Sequence, residues 1–325
     1  MYDLIRHPLR AVIIGTGHVG ATCAYSLQLS GLVSEIILIN QNQERAMGEA
    51  MDRCYGMLFA RPVEVRAGDF SDCASADIVV LAAGVAQQPG ETRLSLLRRN
   101  VEVFQEIVPQ IAKYTEDAIL IVVANPVDVL TYVTLRLSNL PPSQVIGSGT
   151  ILYTARFRFL ISQHFHVEPR SVHAYVIGEH GDSQVPVWSL ANIAGVKLDD
   201  YGHLNGGKLD CDTKAEIAEN TRRAAYEIIK RKGSTYYAIA NGLVRIIEAI
   251  VRNENSVLTV SSLVVGSYGL TDLTLSLPSI VNRGGIVHTL ELPLTAVERS
   301  ALEKSSQVMQ SAIQSLEPMY ALSLY

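Results

Sequence analysis

The sequence predicts an α/β fold, with a doubly wound parallel sheet first and an α+β region after it. Three observations lead there. In the first half, short apolar runs alternate with amphipathic stretches. A glycine-rich turn joins the first run to the first of those stretches. Beyond about residue 147, longer helical patterns surround shorter strand candidates.

The runs are Ala11–Gly15, Glu35–Asn40, Val63–Ala67, Asp77–Ala83, Ala118–Ala124 and Val145–Ile146. Several are rich in Val and Ile and apolar on both faces, which is how a strand covered by helices on both sides reads. Between them, His18–Ser30, Gln43–Leu58 and Arg93–Tyr114 carry helical periodicity. Strand and helix in alternation imply βαβ units. The second half offers helices at Leu152–His164, Thr213–Arg231 and Thr235–Val251. Its strand candidates are Val172–Ile177, Val257–Ser262 and Leu273–Leu277, and a last helix opens on the capping-box pattern Thr295-Ala-Val-Glu298. With no low-complexity linker, the 325 residues divide into an expected 1–147 unit and an expected 148–325 unit, packed against each other with a cleft between them.

Composition narrows the function. A hydrophobic share of 48% and a charged share of 18% describe a chain with a large core, and a net charge of −5 argues against a nucleic-acid binder. There is no run of 18 apolar residues, so no membrane span is expected. The first ten residues lack the apolar stretch of a secretory signal. Cys23, Cys54, Cys73 and Cys211 have no paired spacing and read as reduced core thiols of a cytoplasmic protein, not as metal ligands.

Gly15-Thr-Gly17-His18-Val19-Gly20 follows a strand and opens a helix. In such a turn the first glycine permits the sharp bend. The second lets the backbone approach a pyrophosphate, and the third lets helix and strand pack closely. The helix N-terminus then faces the phosphates with free N–H groups. A dinucleotide cofactor is expected. An acidic residue normally closes the second strand and holds the adenosine ribose, but Asn40 stands there. Its amide can still bond a hydroxyl, yet it removes the repulsion that rejects a 2′-phosphate. The neighbours Gln41, Asn42 and Gln43 bring no cation. NAD is favoured and NADP stays open.

Four later segments resemble the lactate/malate dehydrogenase family, in that family's order. They are Ala83-Gly-Val-Ala-Gln87-Gln-Pro-Gly-Glu91-Thr-Arg93, Asn125-Pro-Val-Asp128, Gly147-Ser-Gly-Thr-Ile-Leu-Tyr153-Thr-Ala-Arg156-Phe-Arg158 and Gly178-Glu-His180-Gly-Asp-Ser183. The likeness continues through Lys232-Gly-Ser-Thr235-Tyr-Tyr, Asn253-Glu-Asn255 and Asn282-Arg283, so only the extreme termini fall outside it. It implies a Rossmann domain with a catalytic α+β domain, NAD as cofactor and a small 2-oxo or 2-hydroxy acid as substrate.

The resemblance also implies roles that suit the residue types. His180 becomes the acid that protonates a carbonyl oxygen, a task for a group titrating near neutrality. Arg156 anchors the substrate carboxylate through a planar fork. Arg93, behind a Gln-Pro-Gly lid, polarises the carbonyl on closure. Asn125 bonds the substrate oxygen beside the nicotinamide, and Ala83 and Gly84 line the cofactor. Gln87 and Thr235 line the pocket for the variable group. An uncharged Gln87 leaves a second carboxylate unpaired, so pyruvate is expected ahead of a dicarboxylate. Arg158 and His173 match positions that bind fructose-1,6-bisphosphate between subunits in effector-activated relatives, in a tetramer built as a dimer of dimers.

Tyr153 breaks the pattern, because the family has aspartate there. A tyrosine carries no charge near neutrality. Three readings follow. Tyr153 hydrogen-bonds His180 and supports slow turnover with an acid-shifted optimum. The site is retuned for another 2-oxo acid or another reaction, with NADPH as an option. Or the chain is a catalytically weak homologue that binds nucleotide. Retention of His180, Arg156, Arg93, Asn125 and Gln87 favours the first.

Overall fold

The computed structural model describes residues 9–85, 93–207 and 209–316. Six strands form a parallel array: β1 (Arg10–Ile14), β2 (Glu35–Ile39), β3 (Glu64–Ala67), β4 (Ile78–Leu81), β5 (Ile119–Val122) and β6 (Val145–Gly147). Their spatial order is 3-2-1-4-5-6 when read out to β6. β2, β4 and β5 are buried along their whole length, as strands covered on both faces must be.

Helices α1 (His18–Ser30), α2 (Gln43–Tyr55), α3 (Arg93–Ala112) and α4 (Val127–Ser138) connect these strands. α1 runs over the residues expected and stops at Gly31, whose left-handed φ of 64° lets its N–H fold back onto the Gln28 and Leu27 carbonyls. α2 is shorter than its pattern suggested. It ends at Tyr55, and Met57–Phe59 turn as a 3₁₀ segment. α4 was not among the expected helices; most of its residues are buried, and its many Val and Thr residues are β-branched, which favours a strand reading.

The second half begins with α5 (Ile151–Phe165). The expected strand at Val172–Ile177 is two short pieces, β7 (Val172–His173) and β8 (Val176–Ile177), belonging to different small sheets. β8 pairs with β9 (Val185–Pro186), and β7 with β10 (Asn192–Ile193), which pairs in turn with β11 (Val196–Lys197). Then come α6 (Leu198–Asn205), α7 (Cys211–Lys232) and α8 (Tyr237–Val251). They are followed by β12 (Ser256–Val265), β13 (Thr271–Asn282), β14 (Gly285–Thr289) and α9 (Ala296–Gln314).

β12 and β13 are longer than expected, and they join the first sheet. β12 bonds antiparallel to β6, giving one nine-stranded sheet in the order 14-13-12-6-5-4-1-2-3. The α9 capping box forms as predicted, with the Thr295 side chain accepting from the Glu298 N–H and the Glu298 carboxylate accepting from the Thr295 N–H.

α1 and α8 cover one face of the sheet, while α3, α4 and α9 cover the other. A third core lies under α5, around Phe157 and Ile161. All four cysteines are free. Cys23 and Cys73 are buried, but Cys211 is exposed, so it is not a core thiol. No described helix is long and apolar enough to cross a membrane.

Candidate active site

β1 and β4 are neighbours, and their connections leave toward opposite flanks of the sheet. The crevice at their C-terminal ends is where open α/β sheets take ligands. The glycine turn fills it. Gly15 has φ +96°, and a Cβ there would lie 2.4 Å from the Ala83 nitrogen; a Cβ on Gly20 would lie 1.9 Å from the Gly15 carbonyl oxygen. A Cβ on Gly17 would meet nothing within 4 Å, so that side of the turn is open. No side chain caps α1, which leaves its first N–H groups toward the opening.

The cradle therefore fits a pyrophosphate held by Gly15, Gly17, His18, Val19 and Gly20. Gly15→Ala is expected to lower stability by about 1–3 kcal/mol and to abolish NADH binding in a fluorescence titration. A variant with unchanged Tm and Kd would show that the turn can open to admit a side chain.

Asn40 ends β2 beside this cradle. Its amide N–H donates to the Thr16 hydroxyl at 2.6 Å, and its carbonyl oxygen accepts from the Asn42 N–H at 2.9 Å. Asn42 in turn caps α2. The amide therefore ties the glycine turn to the start of the next helix and presents no charge. Across the cleft, the His18 ring stacks on Tyr236 at 5.2 Å, and Ser234 lies 3.4 Å from His18 Nδ1, which brings the half-buried Thr235 to the cofactor side.

Ala83 and Gly84 follow β4. Asn100, which sequence reasoning missed, is buried behind them, and its side-chain oxygen accepts from the Val85 N–H at 2.7 Å. Gln87 lies outside the described residues. Arg93 is described only as the first backbone residue of α3. Asn125 sits exposed between β5 and α4, without a hydrogen bond among the described residues.

His180 occupies a loop gripped by four elements. Gly178 pairs with Ser276 on β13, and the Glu179 N–H donates to the Ser305 hydroxyl on α9 at 2.8 Å. The His180 N–H donates to Asp128 Oδ2 on α4 at 2.6 Å, and its ring Nδ1 meets the Gly149 carbonyl, just past β6, at 2.6 Å. A carbonyl can only accept, so in the neutral ring Nδ1 carries the proton and Nε2 does not. Burial pushes the His180 pKa below its ordinary value and the nearby Arg156 charge adds to that, against the opposing pull of the Gly149 carbonyl.

Tyr153 meets His180 edge to face, with ring centroids 5.0 Å apart, and no hydrogen bond joins its hydroxyl to the imidazole. The expected direct hydrogen bond is thus corrected: a backbone carbonyl holds the ring, and Tyr153 only packs against it. Burial pushes the tyrosine hydroxyl up to about 12, so it stays neutral.

One turn along α5, the half-buried Arg156 lies over the other side of the Tyr153 ring at 5.2 Å. Among the described residues it makes no ion pair, and burial depresses its pKa. Arg158 donates to the Ala174 carbonyl at 2.9 Å and packs on Tyr175, beside the exposed His173. No group of three or more metal-ligating side chains gathers among the described residues.

Residues 9–147 match the family model for the lactate/malate dehydrogenase NAD binding domain, and residues 150–319 match that for the alpha/beta C-terminal domain. The chain is 52% identical over 305 residues to an L-lactate dehydrogenase of Thermoanaerobacter, covering 94% of this chain and 98% of that one. It is 53% identical over 308 residues to the L-lactate dehydrogenase of Acetivibrio thermocellus, covering 95% and 97%. Among solved structures, the ligand-bound minor L-lactate dehydrogenase of Enterococcus mundtii aligns with a TM-score of 0.92 at 40% identity, over 95% of this chain and 98% of the other. With residues 9–147 and 150–319 both matched, the chain belongs to the lactate/malate dehydrogenase family.

Proposed function

We propose that the protein is an NAD-dependent L-2-hydroxyacid dehydrogenase that interconverts pyruvate and L-lactate. The observation that carries the reading is His180, whose Nδ1 is occupied by Gly149 while Arg156, over the Tyr153 ring, makes no ion pair among the described residues. NADH, when bound in the glycine cradle, supplies the hydride. His180 Nε2 gives its proton to the substrate carbonyl oxygen in reduction and takes it back in oxidation. Arg156 holds the carboxylate by two parallel bonds. Asn125 bonds the reacting oxygen, and Arg93 approaches from the start of α3 to stabilise the charge growing there. The uncharged Gln87 and Thr235, as the resemblance assigns them, favour a substrate with a small uncharged substituent.

The pH dependence tests this. Reduction needs protonated His180, and its pKa is held below the usual 6.5. Pyruvate reduction should therefore be fastest in acid and fall about tenfold per pH unit above that pKa. Lactate oxidation, which uses neutral His180, should persist through neutrality. Initial rates between pH 5 and 8 check both directions. A reduction rate flat to pH 8 would refute the assignment of His180 as the acid.

A second reading rests on Asn40. Without a carboxylate at the ribose to repel a 2′-phosphate, the enzyme accepts NADPH within about tenfold of NADH; it then serves another 2-oxo acid or turns over weakly. Running both cofactors in the same assay separates the two.

The domains divide as 1–147 and 148–325. A homotetramer is supported by the exposed apolar surface of Met47, Met51, Tyr55, Leu58 and Phe59, on α2 and the turn after it. Fructose-1,6-bisphosphate would bind at Arg158 and His173 across a subunit interface and activate the enzyme allosterically. The setting is cytoplasmic fermentation of pyruvate from glycolysis.

A further inference from the structure

We infer that Asp128 is a positioning residue for His180: its buried carboxylate holds the backbone from which the imidazole projects. The inference rests on the dehydrogenase reading above and adds a residue to it.

Asp128 is the second residue of α4 and is only 2% exposed. A carboxylate in a first helical turn ordinarily serves the free N–H groups of its own helix. Among the described residues, the hydrogen bond of this one leaves the helix and runs to the His180 N–H, 52 positions away. Its main-chain carbonyl is also fixed from outside, accepting from the Thr274 hydroxyl on β13 at 2.6 Å.

The second tether of His180 belongs to the same knot. Gly149 has φ +54°, and a Cβ there would lie 2.5 Å from the Ser261 nitrogen and 2.6 Å from the Ser276 oxygen. Those serines are buried on β12 and β13, and their hydroxyls, like Asp128 Oδ1, have no hydrogen bond of normal geometry. Their dipoles nevertheless oppose the burial that pushes the Asp128 carboxyl up to about 7, as does the His180 N–H.

His180 is thus suspended from two points, the Asp128 carboxylate and the Gly149 carbonyl. Both are wedged against Ser261 and Ser276. Tyr153 packs against the ring without bonding it, so among the described residues the ring's hydrogen bond is to Gly149 and the His180 N–H is held by Asp128, one residue beyond the Glu179–Ser305 tether. Loss of the Asp128 bond loosens the backbone at His180 itself while Gly178 and Glu179 stay tethered, and a displacement on the order of 1 Å at a reacting group costs about a hundredfold in rate.

The test uses the full chain with Asp128→Ala and Asp128→Asn, assayed with pyruvate and NADH at pH 6. Asp128→Ala should lower kcat about a hundredfold while the KM for pyruvate and the Kd for NADH stay within about threefold, since neither ligand touches Asp128. Asp128→Asn keeps an acceptor oxygen and should recover to within about tenfold of wild type. A purely structural role predicts that kcat, KM and Kd degrade together, with asparagine no better than alanine. That result, or an alanine variant within threefold of wild-type kcat, overturns the inference.

Should the alanine variant fail to fold, histidine-selective ¹⁵N labelling of wild type and Asp128→Asn decides, with only eight histidine amides to resolve. The His180 amide proton, bonded to the Asp128 carboxyl group at 2.6 Å, should lie downfield and shift in the variant; an unmoved resonance overturns the inference. This readout needs no turnover. A wild type inert toward pyruvate would sink the dehydrogenase reading and still leave the Asp128 link tested by its amide.

Discussion

Tyr153→Asp is expected to raise pyruvate reduction at pH 7 by about 10- to 1000-fold. An anion placed within about 4–6 Å of an imidazole raises its pKa by roughly 1–3 units. His180 now has the opposite surroundings, because burial and the Arg156 charge both lower its pKa and its ring partner is an uncharged carbonyl. At a pH above the histidine pKa, the protonated fraction grows tenfold for each unit by which that pKa rises. The gain should shrink toward pH 5, where wild-type His180 gains its proton unaided. The acid-side maximum should broaden into a plateau reaching neutrality.

Two effects oppose the gain. Removing the buried phenol leaves a cavity that costs about 3 kcal/mol of stability. Arg156, now over the Tyr153 ring, gains a carboxylate within reach and competes for it with the substrate, so the KM for pyruvate should rise. Parallel pH–rate profiles and Tm measurements separate these terms. An unshifted profile in a folded variant would mean that the Gly149 carbonyl alone governs the protonation of His180.

How far the sequence reached depends on where each interaction is encoded. Helix α1 was readable to the residue, because Gly17 and Gly31 bound it and both act locally. Helix α4 was missed because its run of buried Val, Leu and Thr, following Asn125-Pro126, does not carry the local marks of a helix that α1 does. The run Val172–Ile177 looked continuous, since apolar content does not report that Ala174 and Tyr175 turn the chain from one small sheet to another. The readings Val257–Ser262 and Leu273–Leu277 fell inside the longer β12 and β13, which run on through Leu263–Val265 in one case and past Pro278 in the other, a residue that ordinarily argues against a strand interior.

At the site, side-chain identities were legible and their tethers were not. The ring partner of His180 is a main-chain carbonyl, which no residue type announces. Asp128 stands inside the Asn125-Pro-Val-Asp128 segment, yet its partner lies far along the chain and only the fold brings them together. Asn100 was passed over as one polar residue on a helix. Its signal, an amide on the buried side of an amphipathic pattern, was present but weak.

Arg156→Lys should lower kcat/KM for pyruvate by about a hundredfold or more, with the Kd for NADH unchanged. The guanidinium is half buried, lacks an ion-pair partner among the described residues, and stacks on the Tyr153 ring, which fixes its plane. A planar fork held in this way offers a carboxylate two parallel bonds. A lysine offers one point charge on a flexible stem, and burial deprotonates an amine far more readily than a guanidinium. The loss of one charged hydrogen bond with its geometry amounts to about 3 kcal/mol, hence the hundredfold figure. The loss should appear mainly in KM, because the carboxylate is gripped in the ground state and carried unchanged into the transition state. Added guanidinium should restore little, since the Tyr153 face that orients the fork gives no covalent hold on a free ion. A variant within about threefold of wild type would remove Arg156 from the carboxylate and send the search to Arg93.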